Sequence, residues 1–135
     1  MLIILPFDIA SPGLLAATAG IGLLILCGSN VMIIGIESIV LWRLKWGSFK
    51  RAALGAIVMN IATSVIGIGI VPFTMQLYFW GLLIDFALSI LIEGGILLLF
   101  KRDNKRATWL AALAANSASY LLVILPLYLF FGLLR

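Results

Sequence analysis

The chain has 135 residues, of which 64% are hydrophobic and 10% are charged, with a formal net charge of +4 and no histidine. Soluble domains contain roughly a quarter charged residues, so this composition excludes a water-soluble monomer and indicates one integral membrane domain over 1–135. Without histidine, the chain cannot build His-ligated zinc, His-ligated haem or a nucleophile–histidine pair, and no metal or cofactor is expected.

Four apolar segments follow one another along the chain, at 14–42, 52–72, 77–100 and 107–134. A bilayer core of roughly 30 Å needs about 20 helical residues, so each segment can cross the membrane once. Ser11 and Pro12 suit the N-cap and first turn of the first helix, and Met1–Ala10 is interpreted as an interfacial lead-in.

Glycine and proline predict where these helices bend or end. The first segment is longer than a single crossing requires, and Gly28-Ser29-Asn30 offers a place to bend. Pro72 is predicted to close the second helix. Pro126 lies inside the fourth segment and is predicted to kink it, which membrane helices tolerate.

Basic residues cluster in the first-to-second and third-to-fourth connections. These eight residues are Arg43, Lys45, Lys50, Arg51, Lys101, Arg102, Lys105 and Arg106. Basic clusters beside apolar helices orient a membrane protein and attract anionic lipid headgroups, so they indicate cytoplasmic loops and not a nucleic-acid site. The sequence therefore predicts an all-α bundle of four transmembrane helices in a bacterial or archaeal cytoplasmic membrane, with both termini on the non-cytoplasmic side.

A shift of 56 residues brings the two halves of the chain into register. Glu37 then falls on Glu93, and Asn60 falls on Asn116, although the chain has only two Glu and four Asn. The same shift places Thr63 on Ser119 among further matches. The pattern predicts two parallel helical hairpins, at about 14–72 and 77–134, related by a pseudo-twofold axis along the membrane normal.

The four repeated polar residues form the candidate site. At about 1.5 Å of rise per residue, Glu37 and Asn60 lie roughly 9 and 14 Å below the basic loop, and Glu93 and Asn116 roughly 12 and 15 Å. Each Asn can donate to the carboxylate of its own hairpin, which would act as a structural clasp. Alternatively, the four converge around the pseudo-axis and bind a proton, a cation or a polar ligand, because an acid inside a membrane is costly.

Asp85 is a third acid inside an apolar segment, and it lies in the outer half of the third helix. Ser29 and Asn30 are expected at a similar depth, and either could hydrogen-bond it. Asp85 is thus either a structural hydrogen-bond partner or an outer part of a polar pathway. The Gly94-Gly95 pair beside Glu93 permits close helix approach or local bending.

Three functional classes follow from these features. The favoured one is a non-enzymatic accessory subunit, because short loops leave lateral helix packing as the way to meet other membrane subunits or a second copy. The alternative is an oligomeric small transporter or channel that uses the Glu and Asn residues. An enzyme is disfavoured, because the sequence has no paired Asp at a plausible depth, no metal-ligand cluster and no phosphate loop.

Overall fold

Four helical spans, each long and apolar enough to cross a membrane, make up the part of the chain that the computed structural model describes, residues 12–77 and 79–133. The α-helices are α1 (Pro12–Arg43), α2 (Phe49–Thr74), α3 (Phe79–Phe100), α4 (Lys105–Ser119) and α5 (Leu125–Leu133). A 3-10 turn, Met75–Leu77, follows α2, and a π-helical turn, Tyr120–Ile124, connects α4 to α5. We call α4, the π turn and α5 together the fourth span. The predicted lead-in Met1–Ala10 and the Ser11 cap lie outside the described residues.

Each span packs against two neighbours, in the ring order α1, α2, α3, fourth span. The α1–α2 and α3–α4 connections lie together at one end of this ring, which we call the basic end. There the Lys101 Nζ donates to the Trp46 carbonyl at 2.8 Å, and the Arg51 guanidinium donates to the Phe100 carbonyl. The predicted four-helix membrane bundle is confirmed.

Two helices begin earlier than the apolar segments suggested. α2 begins at Phe49 and α4 at Lys105, so part of each basic cluster lies in a first helical turn. Ser48 and Asn104 accept hydrogen bonds from backbone N–H groups three residues further on, at 3.4 and 3.0 Å. Such caps satisfy free amides at a helix start, which allows each helix to begin ahead of its apolar segment.

The prolines act differently from one another. Pro72 does not close α2, which continues to Thr74; a proline in the last turn removes one hydrogen bond from a ladder that is already ending. Pro126 follows the π turn, where the Leu125 N–H donates to the Tyr120 carbonyl five residues back. A π turn relieves the clash between a proline ring and the carbonyl four residues before it.

α1 runs as one continuous helix through Gly28, Ser29 and Asn30. The Ser29 hydroxyl donates to the Ile25 carbonyl at 2.7 Å, and the Asn30 amide donates to the Leu26 carbonyl at 2.9 Å. Because these side chains bond back to their own helix, the polar stretch does not interrupt it.

The buried core lies toward the basic end and has the same pattern in both halves of the chain. Eight pairs of residues separated by 56 positions are buried on both sides. The pairs are Glu37/Glu93, Ser38/Gly94, Leu41/Leu97, Ala52/Thr108, Gly55/Ala111, Ala56/Ala112, Met59/Ala115 and Asn60/Asn116. Small residues on α2 and α4 let the backbones approach closely.

Candidate functional site: a polar layer beneath an intramembrane cavity

The four repeated polar residues lie in one layer inside the ring of helices. Glu37 is 1% exposed and Glu93 2%, while Asn60 and Asn116 are 6% and 1% exposed. One helical turn nearer the basic end, Leu41 and Leu97 are wholly buried. The layer therefore lies directly above the apolar core, and we call it the polar layer.

Each hairpin places its own asparagine on its own glutamate. The Asn60 Nδ2 donates to the Glu37 Oε2, and the Asn116 Nδ2 donates to the Glu93 Oε2 at 2.8 Å. Each amide also donates to a backbone carbonyl four residues earlier, at 2.9 and 3.1 Å. Since both partners of each amide nitrogen are acceptors, the orientation of the two carboxamides is determined.

The remaining carboxylate oxygens bind across to the other hairpin. The Ser119 hydroxyl donates to the Glu37 Oε1 at 2.8 Å, and the Thr63 hydroxyl donates to the Glu93 Oε1 at 3.0 Å. Each hydroxyl shares its hydrogen with a backbone carbonyl of its own helix, that of Asn116 at 3.1 Å and that of Met59 at 2.9 Å. Thr63 and Ser119 are themselves separated by 56 residues. Each carboxylate is thus held from both hairpins, by donors at corresponding positions.

The 56-residue shift aligns Thr63 with Ser119, but no role was predicted for either residue. The available signal was their spacing, because each follows an asparagine by three residues and shares its helix face. Hydroxyl side chains are weak signals in membrane helices, since they can bond to their own backbone.

A cavity of about 550 Å³ extends from the polar layer away from the basic end. Below the polar layer the bundle is closed, because Leu41, Leu97, Ala56 and Ala112, one turn nearer the basic end, are all 0% exposed. At its far end the lining reaches exposed residues such as Leu26 and Ile68. Among the described residues, no lysine or arginine lines this cavity.

Asp85 also lines the cavity, but its partner is not the predicted one. The Thr74 hydroxyl donates to the Asp85 Oδ2 at 3.0 Å, whereas Ser29 and Asn30 bond elsewhere. The contact depends on close packing at the α2–α3 turn, where a Cβ on Gly81 would overlap the Thr74 carbonyl. The predicted depth of Asp85 along α3 could not reveal this hydrogen bond. The partner of Asp85 depends on how closely the end of α2 packs against the start of α3.

Above the polar layer the two halves of the chain differ at corresponding positions. In the first half the Ser64 hydroxyl donates to the Asn30 Oδ1 at 3.4 Å. At the positions 56 residues later, Phe86 and Tyr120 form an edge-to-face ring pair with centroids 4.8 Å apart. The layer is thus near-symmetric, whereas above it a polar pair in the first half corresponds to an aromatic pair in the second.

The polar layer presents only acceptors to the cavity. Both hydrogens of each asparagine amide are used, and the Thr63 and Ser119 hydroxyls are donating. Among the described residues no donor meets the carboxamide oxygen of Asn60 or of Asn116. A ligand placed here would therefore have to bring donors or positive charge.

The predicted basic residues lie away from this cavity. Seven of the eight are exposed, and Lys101 is half-buried where it contacts the Trp46 carbonyl. Within the described chain, no three His, Cys, Asp or Glu residues are grouped to hold a metal ion.

Comparison with protein-family models, with curated proteins and with solved structures finds nothing that matches this chain.

Proposed function

We propose that this chain is a non-enzymatic membrane transport protein that binds a cation or a proton between Glu37 and Glu93. The observation that carries the proposal is the pairing of these two buried acids beneath one cavity whose described lining has no basic residue. An accessory subunit needs no such cavity. Residues of all four spans line the cavity.

The physical argument rests on the cost of a carboxylate inside a membrane. Neutral donors from Asn60, Ser119, Asn116 and Thr63 orient the two carboxylates but supply no compensating charge. An acid at this depth is costly unless a cation or a proton compensates it. Asp85 adds a third acid along the same cavity, which strengthens the preference for positive charge.

We further propose that the two hairpins are a duplicated unit and that the basic end faces the cytoplasm. Three observations support duplication: the eight buried pairs, the caps at Ser48 and Asn104, and the matched donors at Thr63 and Ser119. The clustering of positive charge at one end supports the cytoplasmic orientation.

The test is uptake into proteoliposomes under an inside-negative membrane potential. The probes are radiolabelled methylammonium, at mildly acidic pH where the amine is protonated, and protons followed with a trapped pH-sensitive dye. We expect uptake of at least one probe well above that of protein-free vesicles. Glu37→Gln and Glu93→Gln keep the shape of the site but cannot carry charge, and each is expected to reduce uptake at least about tenfold, equivalent to about 1.4 kcal/mol.

The matched control is Asp103→Asn, which removes an acid from the exposed α3–α4 connection. Uptake by this variant should equal that of the wild type. Uptake of both probes no greater than in protein-free vesicles, by correctly folded protein, would contradict transport.

A second candidate, an accessory subunit of a membrane complex, is favoured by the outer face of α1. Of the 18 residues in its most apolar stretch, only 11% are buried within the bundle, against 33% for the corresponding stretch of the fourth span. This face can contact lipid, another membrane subunit or a second copy. Stoichiometric co-purification with one partner in mild detergent, lost on polar substitution of Val31 but not of Phe73, would support this candidate; purification as a free monomer would argue against it.

A further inference from the structure

The cavity has acidic groups at two heights along its length. Asp85 precedes Glu93 by eight residues on the continuous helix α3, which is about 12 Å along the helix axis. Between these heights the lining is mostly apolar, with Ile33, Leu88 and Ile92, and it also includes the hydroxyl side chains of Ser64 and Ser89. The cavity therefore has acidic side chains at two levels, that of Glu37 and Glu93 and that of Asp85, and a mostly apolar lining between them.

At the polar layer, the level of Glu37 and Glu93, the site requires a ligand that donates hydrogen bonds. Asn60 and Asn116 are more than nine-tenths buried and line the cavity, and no described residue donates to their carboxamide oxygens. A primary ammonium group has three N–H donors and no acceptor, so it complements these oxygens together with the carboxylates. A quaternary ammonium has no donors and would leave them unpaired.

The size of the cavity favours an organic ligand over a bare ion. Its volume, about 550 Å³, falls within the range of small-molecule sites, roughly 300–1,000 Å³. A metal ion instead needs several oxygens at about 2.0–2.6 Å. The described chain has no group of three or more Asp, Glu, His or Cys, so such an ion would need the Asn60 and Asn116 oxygens as well as the two carboxylates. The apolar side chains of the lining offer no ligand to a metal ion, but they can bury methylene groups.

Resting on the proposed function, we propose that the cavity binds a linear aliphatic diamine, with one ammonium at Glu37 and Glu93 and the other at Asp85. The methylene chain then lies between them against the apolar side chains of Ile33, Leu88 and Ile92. If the two carboxylates are as far apart along the axis as their helix positions, about 12 Å, and each ammonium lies about 2.8 Å from its carboxylate, roughly 6 Å is left between the two nitrogens. That separation corresponds to a short diamine such as putrescine or cadaverine.

The test is isothermal titration calorimetry of the full chain in detergent micelles. Cadaverine is compared with pentylamine, which has the same carbon chain but a single ammonium. We expect cadaverine to bind about tenfold more tightly, equivalent to about 1.4 kcal/mol. Ethylenediamine and decamethylenediamine, too short and too long to join the two levels, should each bind more weakly than cadaverine.

Two variants assign the two ends of the ligand. D85N keeps an acceptor for the Thr74 hydroxyl but removes the upper charge, so it is expected to bind cadaverine and pentylamine equally. E37Q is expected to weaken both amines about tenfold. D103N, in the exposed connection, should retain the tenfold preference for cadaverine.

The outcomes separate this inference from the proposed function. Equal binding of cadaverine and pentylamine by the wild type would overturn the diamine inference and leave cation binding intact. Failure of both amines to bind, with proton uptake retained in proteoliposomes, would also overturn the diamine inference alone. Failure of binding together with failure of all uptake would overturn both.

Discussion

At the scale of single residues, each buried glutamate is held by two donors of different origin. Glu37 takes one hydrogen bond from Asn60 in its own hairpin and one from Ser119 in the other. Glu93 repeats this arrangement with Asn116 and Thr63. The asparagine bonds fix the register within a hairpin, whereas the hydroxyl bonds tie one hairpin to the other.

The cross-hairpin bonds should contribute equally to stability. Ser119→Ala and Thr63→Val each remove one hydroxyl donor from a buried carboxylate, so each should lower the free energy of unfolding by about 0.6–2 kcal/mol. Ser117→Ala, at a half-buried position on the same helix as Ser119, is the matched control and should change it little. Reversible unfolding in mixed micelles measures the three values. A loss confined to one of the two layer variants would argue against equivalent roles.

The acids and asparagines of this site could be predicted from the sequence, but their hydroxyl partners could not. Glu and Asn are rare and costly within apolar helices, so Glu37, Asn60, Glu93 and Asn116 stand out from their neighbours. Ser and Thr can satisfy themselves on their own backbone and need no partner. Hence only the packing of the helices reveals which of them meets a carboxylate.

At the scale of helices, close approach is concentrated at a few small residues. A Cβ on Gly94 would overlap the Trp109 ring of α4, whereas a Cβ on Gly95 would meet no atom within 4 Å. The Gly94-Gly95 pair therefore combines one position that packing requires to be glycine with one that it does not. The sequence indicated close approach but could not distinguish the two, because that distinction depends on which face of α3 meets α4.

Gly94→Ala should thus destabilise the α3–α4 contact, while Gly95→Ala should not. Overpacking against an aromatic ring costs about 1–3 kcal/mol. Alanine at an open helical position gains up to about 1 kcal/mol over glycine from propensity. Unfolding free energies give the comparison, and a shift in tryptophan emission is expected for the first variant only. Equal destabilisation by both would show that Trp109 does not pack on Gly94.

The caps explain where α2 and α4 begin, ahead of the basic residues in their first turns. Asn104→Ala removes the side-chain acceptor of the Ala107 N–H and should cost about 1 kcal/mol of unfolding free energy. Ser48→Ala should cost less, because its bond to the Arg51 N–H is longer, at 3.4 Å. Asp103→Ala, next to the cap, serves as control. A larger loss for Ser48→Ala than for Asn104→Ala would contradict this order.

At the scale of the whole molecule, polarity and charge divide the bundle along its axis. Seven exposed basic residues and an apolar core occupy one end, the polar layer follows, and the cavity reaches the surface toward the other end. The number of spans followed from hydropathy and length alone. The cavity did not, since the volume left between helices depends on small differences in how side chains fill the ring.

The proposed orientation can be tested with cysteine labelling in intact cells. In a Cys27→Ala background, single cysteines replace Lys50 and Arg102 at the basic end and Gln76 at the opposite end, all exposed. A membrane-impermeant maleimide should label only the Gln76→Cys protein, because basic loops stay in the cytoplasm. Permeabilised cells, in which all three should react, provide the control. Labelling of either basic-end position in intact cells would reverse the orientation.

The central claim is that Glu37 and Glu93 form a single site. It is tested most directly by a double-mutant cycle in the proteoliposome uptake assay, with Glu37→Gln, Glu93→Gln and the double variant. Residues that act as one unit are strongly non-additive. We therefore expect the double variant to take up the probe no more slowly than the worse single variant. Losses that multiply, or a single variant with wild-type uptake, would show that the two glutamates do not form one site.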